Sequence, residues 1–77
     1  METIPLTQLA IGERARVISL LATGQQRRRM LDLGLVPQAM IEALRKSPAG
    51  DPVAYRIRGA VIALRREEAS LVTVARI

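Results

Sequence analysis

The chain has no histidine, no cysteine, no tryptophan and no phenylalanine, and Tyr55 is its only aromatic residue. Without cysteine there are no disulfides, no thiolate chemistry and no cysteine-based zinc or iron–sulfur sites. Without imidazole, catalysis would rest on Asp, Glu, Ser, Lys or Tyr, and no spacing suggests a carboxylate pair, so we expect no enzyme activity. Transition-metal sites favour imidazole or thiolate, and neither exists here, so no metal site is predicted. The adjacent Glu67 and Glu68 diverge in a turn and read as solvated surface. Four scattered glycines, Gly24, Gly34, Gly50 and Gly59, form no phosphate-cradling loop, and no cofactor is expected. No apolar run approaches the roughly 20 residues that span a bilayer, and the start lacks the basic region of a signal peptide. The expectation is a cytosolic protein.

What is present fits a small single domain, residues 1–77, whose 49% hydrophobic content is built almost wholly from aliphatic side chains. At this size only about 60% of the unfolded surface is buried on folding, so the core must be efficient. Twelve basic against seven acidic residues give a net charge of +5, with Lys46 the only lysine. That balance favours acidic partners, nucleic acid or an anionic membrane face.

Ile4, Leu6, Leu9 and Ile11 surround Pro5 and suit a short helical turn laid as a lid across a core opening. Glu13 to Leu21 reads as a first strand, with Ala15 and Val17 alternating with Arg14 and Arg16. Its register is ambiguous from Ile18 to Ala22. Thr23-Gly24-Gln25-Gln26 has the form of a capping box, and the spacing predicts a helix over Gly24 to Leu33. Gly34 stands where a left-handed C′ residue is wanted, Leu35 can pack back on Met30, and Pro37 prevents the helix resuming. Gln38 to Lys46 reads as a second strand, with Ile41 and Ala43 on one face. The turn formers Ser47 to Pro52 predict a hairpin into Val53, Tyr55 and Ile57, which alternate with Ala54, Arg56 and Arg58. Tyr55 is expected to put its ring in the core and its hydroxyl at the rim. Gly59 turns the chain into Ala60 to Leu64, with Ile62 and Leu64 inward and Val61 outward. Arg65 to Ala69 supplies a helical turn, and Val72 and Val74 a last strand. Five short strands with one helix inserted after the first predict an all-β, highly curved small barrel with most edges paired.

The runs RRRMLDLGLVP, SPAGDPVAYRIRG and IALRREEASLVTV together resemble the FeoA family of bacterial ferrous iron transport. The most specific matches are Arg29, Leu31, Gly34, Leu35 and Pro37, then Gly50-Asp51-Pro52, then Leu64-Arg65 and Glu68-Ala69. The resemblance implies an SH3-like barrel and a partner, the FeoB membrane GTPase transporter. It also places glycine after the proline, where this chain has Gln38. The same domain type ends iron-dependent repressors of the DtxR class; the starting Met1 and the length favour the free-standing form.

Candidate partner-binding residues follow at the helix and its end. Arg27, Arg28 and Arg29 occupy the first half of the helix, where cations oppose the dipole. They read either as a solvated face, with Arg28 or Arg29 pairing to Asp32, or as a contact, in its sharpest form an arginine finger toward FeoB-bound GTP. Leu33, Leu35 and Val36 straddle the helix stop, and not all three fit a small core, so an apolar docking corner is expected there. The alternative function is a basic nucleic-acid-binding barrel, against which stands the missing aromatic platform. Self-association is open through a strand edge near Val72 to Ile77.

Overall fold

In the computed structural model, which describes residues 2–77, the N-terminal segment first meets the rest of the chain at a two-residue strand, β1 (Ile4–Pro5). A 3-10 turn (Leu6–Gln8) follows, then β2 (Arg14–Leu20), α1 (Gly24–Asp32), β3 (Met40–Lys46), β4 (Val53–Ile57), β5 (Ala60–Leu64), a one-turn α2 (Arg66–Ala69) and β6 (Val72–Arg76). The strands form one antiparallel sheet in the order β1-β6-β2-β3-β4-β5. This corrects the five-stranded barrel: Ile4–Pro5 adds a sixth strand beside Thr73 and Val74, and the sheet does not close on itself. It also moves the free edge. β6 lies between β1 and β2, with β1 covering it at Thr73 and Val74, so the open five-residue edge is β5.

Period-2 alternation places the core side chains. Ala15, Val17, Ile41, Ala43, Tyr55, Ile57, Leu64, Val72 and Val74 all turn inward and are buried. The lid forms as expected at Ile4, Leu6 and Leu9, which are buried, whereas Ile11 is 44% exposed. Where alternation fails in the sequence the structure has bulges, at Ile18 between paired Val17 and Ser19, and at Leu44 between paired Ala43 and Arg45. An extra residue sharpens local twist, which curls so short a sheet around its core.

α1 begins where expected but not by the expected device. Thr23 makes no side-chain cap hydrogen bond. Gly24 has φ +60°, a left-handed step where a capping box wants a right-handed helical residue. The carboxylate half of a capping box appears instead at α2, where Glu68 accepts from the Arg65 N–H at 3.0 Å. Arginine offers no acceptor for the other half.

The end of α1 follows the sequence closely. Gly34, at φ +103°, donates to the Leu31 carbonyl at 3.0 Å, and Leu35 donates to the Met30 carbonyl at 3.1 Å. That pair of bonds is a Schellman motif, and its apolar clasp is Met30 against Leu35, both fully buried. Met30 is the one residue of α1 that is buried, so this clasp is the apolar anchor of the helix.

Pro37 and Gln38 then make a tight turn, with the Ala39 N–H donating to the Val36 carbonyl at 3.1 Å. Gln38 has φ +75°, the conformation that the third position of a type II turn demands and glycine supplies freely. The turn therefore keeps the geometry of a glycine-bearing one, with Gln38 strained. Gln38→Gly is expected to raise stability by about 0.5 to 1 kcal/mol, the relieved strain exceeding the added chain entropy of glycine. Thermal denaturation checks the sign.

Candidate functional site

α1 presents Arg27, Arg28 and Arg29 outward from a helix whose one buried residue is Met30. The three arginines are not equivalent. Arg27 donates to the Leu20 carbonyl at 3.3 Å, which ties the helix start to the end of β2. Arg29 pairs with Glu68 of α2, and neither it nor Arg28 pairs with Asp32. Arg28 makes no hydrogen bond or ion pair among the described residues. It borders two shallow surface depressions, one with Gln25, Arg29 and Asp32, the other with Gly24, Arg27, Leu31 and Asp32.

At the helix stop, Leu33 and Val36 are half-buried, whereas Leu35 has no exposed surface. Leu35 therefore cannot touch a partner. The expectation that three apolar residues compete for a small core was right in kind, and the Schellman geometry decides which one enters: it points the residue after the glycine back over the last turn. Half-buried Leu31, in the middle of the same corner, was named by the sequence as a family match and not as a contact residue.

Glu68 is the electrostatic centre of this end of the domain. It accepts from Arg29 and from the Arg65 N–H, and these bonds, Arg29 first, hold its carboxyl below the usual carboxylate range. Glu13 is lowered likewise, first by the Ala10 N–H at 2.8 Å and then by Arg76 at 3.2 Å. Both groups have folded pKa values depressed below the unfolded ones. Their contribution to stability is present above the unfolded carboxylate pKa and is lost as pH falls through the folded values. No side chain here has an ordinary pKa between 5 and 8, histidine being absent. The melting temperature is therefore expected to be flat from about pH 5.5 to 8 and to fall below about pH 4. Glu68→Ala should cost about 1 to 2 kcal/mol at pH 7 and flatten part of the acid limb, as measured by melts across pH.

Elsewhere, a concavity of about 300 Å³ opens between the lid and the β3–β4 hairpin. Leu9, Val53 and Leu64 floor it, and Lys46, Asp51 and Arg66 stand at its margin. Tyr55 borders this space and is 2% exposed; burial, with Asp51 second, raises the pKa of its phenol. With its only ring inside, the surface carries no aromatic platform on which a nucleic-acid base could stack. Among the described residues, no three His, Cys, Asp or Glu side chains gather to hold a metal. No described helix is long and apolar enough to cross a membrane.

An open, curled antiparallel sheet with a helix between its second and third strands is an SH3-like domain. FeoA of Stenotrophomonas maltophilia, solved with zinc and described as a prokaryotic SH3 domain protein, superposes with a TM-score of 0.79 at 29% identity, over 96% of this chain and 89% of that one. The chain belongs to the FeoA family, matching the FeoA domain over residues 4–76. FeoA of Chlorobium tepidum is 40% identical, with a TM-score of 0.89 over 96% of this chain and 70% of its own. A Porphyromonas gingivalis protein named as a fusion of Fe(2+) transport protein A and the Fe(2+) transporter FeoB is 35% identical over 69 residues. That match takes in 90% of this chain and 8% of the fusion protein's length.

Proposed function

We propose that this chain is a small cytosolic accessory protein of ferrous iron uptake that acts by docking onto a FeoB-type membrane GTPase transporter. The observation that carries the reading is the Porphyromonas gingivalis fusion, in which a region similar to nearly all of this chain shares one polypeptide with FeoB. Tethering holds two domains at an effective concentration on the order of mM, so even a weak contact between them is populated. Contact, rather than chemistry, suits a surface rich in arginine and a sequence without imidazole or thiol.

The docking face is the outer side of α1 with its C-terminal corner: Arg28 at the centre, Arg27 beside it, and Leu33 and Val36 at the stop. Arg29 belongs to its rim, because Glu68 already engages it. Calorimetric titration into the cytosolic part and the full length of FeoB, in each nucleotide state, tests the reading. Arg28→Glu is expected to weaken binding about tenfold, with the melting temperature unchanged. No binding by the wild-type chain in any state would overturn docking. Undiminished binding by both Arg28→Glu and Val36→Asp would overturn this face. Arg28 is also the arginine free to reach a bound nucleotide. Faster GTP hydrolysis that is lost in Arg28→Ala would make the chain an activator, and equal rates with and without it would leave docking alone.

A further inference from the structure

β5 ends the sheet, and its residues, Ala60–Leu64, include no charge and no proline. The hairpin before it turns on Arg58 and Gly59, both with positive φ, which is the type I′ form. In such a hairpin the closing pair, here Ile57 and Ala60, exchanges both its backbone hydrogen bonds, and inward bonding then recurs at every second residue. Ile62 and Leu64 bond to β4. Val61 and Ala63 consequently aim their N–H and C=O groups away from the sheet, and no backbone or side-chain group among the described residues receives them. Both side chains are exposed, Val61 by 53%.

Edge strands in soluble proteins usually carry a lysine, a proline or a bulge that discourages pairing. This one has none, and its charge lies at its two ends. Arg58 stands at the turn, Arg65 and Arg66 follow Leu64, and Arg56 lies opposite Val61 on the neighbouring strand. Of the nearby acids, Glu42 is paired with Arg56, and Asp51 accepts the Arg66 backbone N–H at 2.9 Å. Exposed Glu67 remains.

We propose that the free edge of β5 binds an extended segment of a partner protein by strand addition, with small or apolar residues over Val61 and Ala63 and carboxylates at both ends. Backbone groups supply the attraction, and the arginines set the sign of the segment. A second copy of this chain is a poor occupant. The two-fold pairing of greatest overlap, centred on Ile62, sets Val61 against Ala63 of the other copy and brings Arg58 toward Arg66 at both ends, like against like. The inference stands apart from the α1 docking face, although the two surfaces adjoin where the Arg58 side chain lies over Gly34.

The test is a titration of the 15N-labelled chain with the end-capped peptide Glu-Glu-Val-Thr-Val-Thr-Glu-Glu and with the same peptide carrying lysine for glutamate. At about 1 mM acidic peptide the Val61 and Ala63 amides should shift, and their exchange with solvent should slow about tenfold. The lysine peptide should bind at least about tenfold more weakly. Ala63→Pro removes one outward N–H without touching the β4 ladder and should abolish the response. Arg65→Glu, an exposed substitution that leaves β5 itself unchanged, should weaken binding about threefold, with its melting temperature as the check on folding. Unslowed exchange at Val61 and Ala63, or equal affinity for the two peptides, would overturn the proposal. Protection of these amides that grows with protein concentration and without peptide would overturn it too, by assigning the edge to a second copy.

Discussion

Leu35→Ala is expected to destabilise the domain by about 3 kcal/mol, and its melting temperature should fall by about 12 to 24 °C. Leu35 is fully buried and closes the Schellman end of α1 against Met30, so truncation leaves a cavity beneath the one buried side chain of the helix. A chain of 77 residues has a total stability of about 4 to 12 kcal/mol, so this loss takes a large part of it. Leu33→Ala, at a half-buried site, should cost about 1 kcal/mol. Circular dichroism melts of both variants measure the contrast. A Leu35→Ala melt within about 5 °C of wild type would mean that α1 does not depend on this clasp. The result also governs any binding test, because a Leu35 variant that lost binding to a partner would report a loosened helix and not a lost contact.

The second large effect falls one residue earlier. At Gly34, φ is +103°, and a Cβ built there would stand 3.4 Å from Arg58 Cδ. Gly34→Ala is expected to cost about 1 to 2 kcal/mol, and Gly34→Val about 2 to 3 kcal/mol because a branched Cβ fits that region of φ least. The backbone strain and the crowding against Arg58 are separable. Repeating Gly34→Ala in an Arg58→Ala background removes the steric part and leaves the conformational part, so the coupling from the double-mutant cycle isolates the contact. A cycle with no coupling would show that the Arg58 stem simply moves aside, and the whole cost would then be backbone strain.

Both effects concern a corner that is legible in the sequence. Met30, Gly34, Leu35 and Pro37 are a local grammar: each acts within about one helical turn, through backbone bonds that sequence neighbours supply to one another. The same holds for the clear alternation of Val53, Tyr55 and Ile57, whereas at Ile18 and Leu44 the sequence left only a broken alternation that the structure resolves as bulges. Thr23 misled because a capping box needs a helical residue next in line, and Gly24 permits a left-handed one that no pattern of polar residues announces.

The sequence by itself determined that this is an aliphatic, arginine-rich, all-β domain with a helix that stops at Gly34, because those properties follow from composition and short-range pattern; the FeoA type came from motif resemblance, which the family match over residues 4–76 bears out. It also bounded the chemistry by omitting imidazole and thiol. Only the tertiary structure decided which of Leu33, Leu35 and Val36 enters the core, that Arg29 is engaged by Glu68 while Arg28 is free, and that β5, and not β6, ends the sheet. These depend on residues far apart in the chain. Glu68 comes to Arg29 from 39 positions away, and the two-residue strand Ile4–Pro5 covers β6 from the opposite terminus. Strand order is a long-range choice made by packing, with no residue pattern to mark it, so the edge that remains open had to be seen in the fold.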